Sequence, residues 1–310
     1  MTMAMTTWTA ADLDTSKAHV IQLAPTIAAA LRRNAATAKR AVAQLDAVAF
    51  QIERRLGPTG PGFAITTGAE LAECSDDELA TLLTLVSARL GRLVGQNPEN
   101  ESVVVVSDSG ATDTETARGY LNNAEMRLHT DPTDIAALLC LHASETGGAN
   151  IYASCGAVLD AITDTAPDVL HEYFRLWSWD LRGLQRPGAD RVVLTPLFSI
   201  YRGELSCRYG ARMLRDGAAN GSGVVPESDE RLLTLFESAA HRTNLNLRHT
   251  LARGEIVWLN NYRVLHGREA FVDDAACSAR ILLRVWLWRH RAPSVAPVFR
   301  HFADAIDRHI

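Results

Sequence analysis

The tripeptide His129-Thr130-Asp131 sets an imidazole and a carboxylate two residues apart. In an extended strand such residues share a face, so both side chains can address one metal ion. With ten histidines and 36 acidic residues among 310, about one H-x-[DE] tripeptide arises by chance. Taken alone, then, it fits a structural His–Asp pair better than a metal site. A further candidate ligand is His266, within Asn260-Asn261-Tyr262-Arg263-Val264-Leu265-His266-Gly267-Arg268 and ahead of Phe271. A lone His after an apolar strand is ordinarily just packed. Two histidines with one carboxylate, leaving open positions on the metal, form the facial triad of non-haem iron(II) oxygenases. Such a site needs no cysteine ligand.

The stretch from Arg280 to Trp288 alternates cleanly, with Arg280, Leu282, Arg284 and Trp286 on one face and Ile281, Leu283, Val285 and Leu287 on the other. Guanidinium groups on a buried face need partners, and the planar fork of arginine fits a carboxylate; on an exposed face they would only solubilise a strand edge. Four residues of strand separate Arg280 from Arg284 by about 13 Å, at roughly 3.3 Å per residue. The two are therefore expected to serve different anions. Glu125 stands four residues before His129, so simple alternation turns it toward the same cavity. An acidic and a basic group near the metal would suit a zwitterion, unless Glu125 and Arg284 pair with each other or with structural neighbours.

These residues need strands to hold them, and the chain supplies strands mainly after its first third. Ile27 to Leu56 reads as helical, free of Gly and Pro until Gly57. Ser75 and Glu78 form a capping box that opens an amphipathic helix through Leu79, Leu82, Leu83, Val86 and Leu90. Strands are predicted over 102–107, 127–131, 136–142, 151–154, 192–201, 204–209, 255–260, 264–267 and 280–288, with a hairpin turn at Arg202-Gly203. Short helices are predicted near 157–162 and 167–176, and a longer one over 227–243. Many short strands with helices before and between them point to a jelly-roll or barrel carrying helices.

Composition bounds the partners. The net charge of −5 argues against nucleic acid, whose binding proteins are normally basic. No apolar run approaches the roughly 20 residues that span a bilayer, and the N-terminus has no signal-peptide pattern. Cys74, Cys140, Cys155, Cys207 and Cys277 are odd in number and widely spaced, as expected of reduced thiols. A cytoplasmic protein with a small-molecule substrate is expected. There is no G-x-x-x-x-G-K, G-x-G-x-x-G or G-x-S-x-G motif, so phosphate-loop, dinucleotide and serine-hydrolase chemistries find no support.

Taken in order, His129-Thr130-Asp131, Leu138-Leu139-Cys140-Leu141, Gly147-Gly148, Asn260-Asn261 through His266-Gly267-Arg268, and Arg280 to Leu287 resemble the taurine dioxygenase / clavaminate synthase superfamily. The resemblance covers roughly residues 95–289, and the 14-residue interval from His266 to Arg280 matches the clavaminate synthase branch. It implies a mainly β protein with flanking helices (α+β), built on a double-stranded β-helix, the cupin-like jelly-roll. It is read as one domain over 1–310, with a helical region at about 20–94 packed on the core. It implies His129, Asp131 and His266 as iron(II) ligands and Arg280 as partner of the far carboxylate of 2-oxoglutarate, with O2 as the other co-substrate. At Asn150 the family often has a Thr or Ser hydroxyl that helps hold 2-oxoglutarate; an amide can still donate a hydrogen bond there. In relatives with this spacing the arginine at the position of Arg284 meets an acidic group of the substrate.

The reaction so implied is hydroxylation of an unactivated C–H bond of a small molecule, an amino acid or a metabolite derived from one, with release of succinate and carbon dioxide. Desaturation and ring closure are variants of it, and Asp131 argues against a halogenase, which lacks that carboxylate. The competing expectation is a cupin-like metal-dependent isomerase or hydrolase that does not use 2-oxoglutarate.

Overall fold

The computed structural model describes residues 7–33, 42–97, 99–110, 122–273 and 279–307. The strands are numbered along the chain. A large mixed sheet runs β1 (Val20–Gln22), β2 (Phe63–Thr67), β14 (Ile256–Asn260), β6 (Ile135–His142), β17 (Ile281–Arg289), β3 (Gly91–Val94), with β4 (Val103–Val106) also on β17. The β1–β2 pair is parallel and the other pairs are antiparallel. A second, four-stranded antiparallel sheet runs β13 (Asn246–His249), β8 (Asn150–Ser154), β15 (Val264–Arg268), β5 (Met126–His129). Three smaller pairs complete the set: β9 (Trp177–Asp180) with β10 (Val192–Thr195), β11 (Phe198–Tyr201) with β12 (Glu204–Cys207), and β7 (Thr146–Gly147) with β16 (Phe271–Val272).

Strand β17 divides the interior. Leu283, Val285 and Leu287 face one apolar core with Ile135, Ala137, Leu139 and Trp258, closed by helices Pro25–Arg33, Val42–Leu56 and Asp76–Leu90. Leu282, Trp286 and Trp288 face the other core, shared with Leu128, Tyr152, Val264 and Leu265 of the smaller sheet. The result is a sheet-rich α+β architecture in which helices cover one face of the large sheet and the small sheet covers the other. The Ser75 capping box is present, with Ser75 Oγ accepting from the Glu78 amide and Glu78 accepting from the Ser75 amide.

Three expected elements are redrawn. The helix expected over 27–56 is two helices, Pro25–Arg33 and Val42–Leu56; residues 34–41 lie outside the described residues. The strand expected over 192–201 is two, β10 and β11, interrupted at Pro196, which has no N–H for a ladder. The segment expected to be helical over 167–176 is a 3-10 helix, Pro167–Phe174. The Arg202-Gly203 hairpin forms as expected, with both residues at positive φ, 53° and 82°. Cys74, Cys140, Cys155 and Cys207 are buried and free.

Just before β1, His19 is 4% exposed and stacks on Phe63 of β2 at 5.1 Å. Burial, followed by the nearby charge of His249, lowers its pKa to about 4. An unfolded His titrates near 6.5, so between these values the unfolded chain binds more protons and stability rises with pH. Lowering the pH from 7 to 5 should cost on the order of 1–2 kcal/mol through His19 alone. Urea unfolding at the two pH values measures this, and His19→Phe should flatten the dependence.

Candidate metal centre and cavity

Between the two sheets, His129 at the end of β5, Asp131 two residues on and His266 in β15 converge. Their ligand atoms all lie within 4.8 Å of one another. His129 Nε2 is 3.8 Å from Asp131 Oδ1, and His266 Nε2 is 3.5 Å from Asp131 Oδ2. Backbone pairing brings the histidines together, since His129 and His266 are direct partners across β5 and β15. Gly267 permits the approach, because a Cβ there would stand 2.6 Å from the Met126 carbonyl oxygen.

The donor set fits a divalent cation. His129 Nδ1 lies 2.9 Å from the Arg127 carbonyl. A carbonyl only accepts, so Nδ1 carries the proton and Nε2 keeps its lone pair for a metal. Burial, then the neighbouring His266, lowers the His129 pKa to about 4, leaving the ring neutral at neutral pH. Burial pushes the Asp131 carboxyl up, but Arg284, His266 and His129 together hold it below its ordinary value. The site thus offers two imidazoles and an ionised carboxylate, the combination suited to non-haem iron(II).

Asp131 is held by three groups. Its amide donates to Asn261 Oδ1 at 3.1 Å, its carbonyl accepts from Arg208 Nη1 at 2.6 Å, and its Oδ2 accepts from the Trp286 indole at 2.8 Å. Asn261 belongs to the Asn-Asn pair noted in the sequence. Arg208 carried no expectation; the two-residue period places Trp286 on the Arg280–Arg284 face of β17, but its bond to Asp131 was not foreseen.

The cavity beside the triad is lined by His129, His266, Asn150, Tyr152, Arg268, Arg280 and Arg284, with Val106, Met126, Leu138, Leu259 and Leu282 as apolar wall. Arg280 is 3% exposed and its Nη1 has no hydrogen-bond partner among the described residues. Its Nε packs against Gly148, where a Cβ would stand 3.3 Å away and φ is +71°. Arg284 is buried, donates from Nε to Gln96 Oε1 at 2.7 Å and lies 4.7 Å over the Trp286 ring. Asn150 lines the wall, and its Nδ2 donates to the His249 carbonyl at 3.4 Å.

Glu125 departs from expectation. It is exposed and absent from the lining, whereas Met126 is part of it. The cause is a bulge: His129 pairs with His266 but Met126 pairs with Arg268, so three steps on β5 match two on β15. The extra residue inverts the alternation upstream of Leu128. Arg127 turns outward to Glu237 at 3.1 Å, and Glu125 goes with it.

Trp286→Phe keeps the bulk of the ring but removes the hydrogen bond to Asp131 Oδ2. Titration of the metal-free protein with cobalt(II) should show affinity reduced on the order of ten- to a hundredfold, while Asp131→Ala should abolish tight binding.

Residues 28–286 match the family described as taurine catabolism dioxygenase TauD, TfdA family. FR-33289 synthase of Streptomyces rubellomurinus is 31% identical over 234 residues, which is 74% of this chain and 69% of that protein. The taurine hydroxylase-like protein SAT17 of Stachybotrys chartarum is 32% identical over 164 residues, 49% of this chain and 40% of that one. Among solved structures, an asparagine oxygenase in complex with Fe(II), 3-hydroxyasparagine and succinate superposes with a TM-score of 0.63 at 16% identity, covering 87% of this chain and 93% of that one. The non-haem iron oxygenase OrfP, in complex with Fe and alpha-ketoglutaric acid, gives 0.59 at 15% identity, covering 87% and 94%. At such identities the likeness is one of fold. With the family match over most of the chain and the His129–Asp131–His266 cluster, the chain belongs to the TauD/TfdA family and is an iron(II)- and 2-oxoglutarate-dependent dioxygenase.

Proposed function

We propose that this dioxygenase hydroxylates an unactivated C–H bond of a small acidic molecule, an amino acid or a metabolite derived from one. On this reading His129, Asp131 and His266 hold the iron, Arg280 holds the far carboxylate of 2-oxoglutarate, and Arg284 meets a carboxylate of the substrate. The observation that carries it is the placing of two buried guanidiniums, Arg280 and Arg284, in the wall of the same cavity as the three metal-ligand candidates. The two paired sheets with the site between them are read as a double-stranded β-helix, and residues 1–310 as one domain with its N-terminal helices as an outer layer. The solved oxygenases of similar fold include complexes with hydroxyasparagine and hydroxy-L-Arg, which supports an amino-acid-like substrate.

Bound iron(II) and 2-oxoglutarate supply the oxidising chemistry, in which decarboxylation to succinate and carbon dioxide is coupled to hydroxylation. The chain itself binds, orients and excludes water. Arg280, desolvated and with an unpaired Nη1, offers a charge-assisted hydrogen bond to a carboxylate. Val106, Leu138, Leu259 and Leu282 give the cavity a dry wall. Gln96 fixes Arg284 by accepting from its Nε and by donating from Nε2 to the Arg284 carbonyl at 2.9 Å. An isomerase or hydrolase at this metal site would have no use for a buried Arg280 whose Nη1 is left unbonded among the described residues.

A screen of amino acids and their derivatives scored by succinate release should identify the substrate, and no stimulated release by any acidic candidate would count against the assignment. Anaerobic addition of iron(II) and 2-oxoglutarate should give a weak visible charge-transfer band. Arg280→Ala should weaken that titration by about 3–5 kcal/mol, as for a broken buried pair; wild-type affinity in the variant would remove Arg280 from its role. Arg284→Ala should raise KM for the substrate and leave the 2-oxoglutarate titration nearly unchanged.

A further inference from the structure

Arg268 lies two residues after His266 in β15, so strand alternation turns it to the same face, and it lines the same cavity. It is 4% exposed. Among the described residues only its Nη2 is engaged, donating to the Asn122 and Ala124 carbonyls at 2.7 and 2.6 Å, whereas Nε and Nη1 are buried without partners. Its guanidinium carbon lies 4.7 Å from the centre of the Phe271 ring, and that of Arg280 lies 5.1 Å from the same ring. Two desolvated cations thus share one aromatic neighbour, each with N–H groups left unbonded. Burial, then the charge of Arg280, lowers the Arg268 pKa to about 10. Like charges in a dry cavity cost free energy until an anion reaches both. The side-chain amide of Asn150, in the same wall, donates to the His249 carbonyl.

We propose that Arg268 is a second cationic contact for the far carboxylate of 2-oxoglutarate, which it shares with Arg280. The inference rests on the 2-oxoglutarate reading given above and adds a residue to it. A carboxylate has two oxygens and about four lone-pair directions, enough for two guanidiniums. The arrangement favours a dicarboxylic keto acid over a monocarboxylic one more strongly than a single arginine would.

The test compares 2-oxoglutarate with 2-oxovalerate, which has the same chain length and keto acid end but no far carboxylate. Both are titrated anaerobically into the iron(II) protein and followed by the charge-transfer band. Arg268→Met should raise Kd for 2-oxoglutarate on the order of ten- to a hundredfold, as for the loss of a hydrogen bond to a charged group, and leave Kd for 2-oxovalerate unchanged. Equal losses for both acids, or none for 2-oxoglutarate, would overturn the proposal. Cobalt(II) binding without keto acid controls for folding, because Arg268 also holds two backbone carbonyls. If Arg268→Met fails that control, Arg268→Lys keeps a cation able to reach those carbonyls. Its preference for 2-oxoglutarate over 2-oxovalerate should then fall below that of the wild type, and an unchanged preference would overturn the proposal. Failure of the wild-type protein to give a band with either acid would instead strike at the 2-oxoglutarate reading itself.

Discussion

The register of β17 against β6 is the constraint on which the rest of the molecule depends. Leu283 pairs with Leu139, Arg284 with Leu138 and Trp286 with Ala136, so one set of side chains meets the helices and the other meets the metal site. Because side chains alternate with a period of two, a slip of one residue would exchange the sets. Leu283, Val285 and Leu287 would then enter the polar cavity, and Arg284 and Trp286 would be driven into a hydrocarbon layer with no acceptors. Both outcomes are costly, which is why a strand buried on both faces can carry two guanidiniums and still pair in one way. The helical layer therefore acts on function indirectly, by penalising every register that would exchange the two faces.

Within the cavity the charges are unbalanced by construction. Asp131 is held ionised despite burial, largely by Arg284, and Arg284 in turn lies over Trp286, which donates to Asp131 Oδ2. The metal-ligand carboxylate, an indole and the guanidinium assigned to substrate thus form one contiguous chain of contacts along β17. Arg280 and Arg268 stand at the other end, around Phe271, with unbonded N–H groups. Buried cations with unbonded N–H groups are tolerable where anionic ligands are to be bound, and they select for such ligands by the same token.

Much of this was legible in the chain because strand periodicity is local. His129 and Asp131, Arg280 and Arg284 could each be assigned to a common face from their spacing, and those faces do meet. The Ser75 capping box was legible for the same reason, every partner lying within one helical turn. What failed was long-range or irregular. The orientation of Glu125 depended on a bulge that exists only in the pairing of β5 with β15. Arg208, which holds the Asp131 carbonyl, lies 77 residues from it and has no local signature. Trp286 and Arg268 were within reach, since each lies two residues from an assigned neighbour, Arg284 and His266.

The bulge in β5 also separates two jobs that a regular strand would have tied together. On the metal side of it, His129 is fixed by pairing with His266; on the other side, the residue presented to the cavity is set by the count of residues between. Regular pairing of the same residues would leave His129 opposite His266 and put Arg127, in place of Met126, opposite Arg268. The pocket can therefore be reshaped by length variation as well as by substitution: deleting Met126 lets Arg127 take its place opposite Arg268, whereas deleting Arg127 or Leu128 closes the bulge and keeps Met126 on the wall.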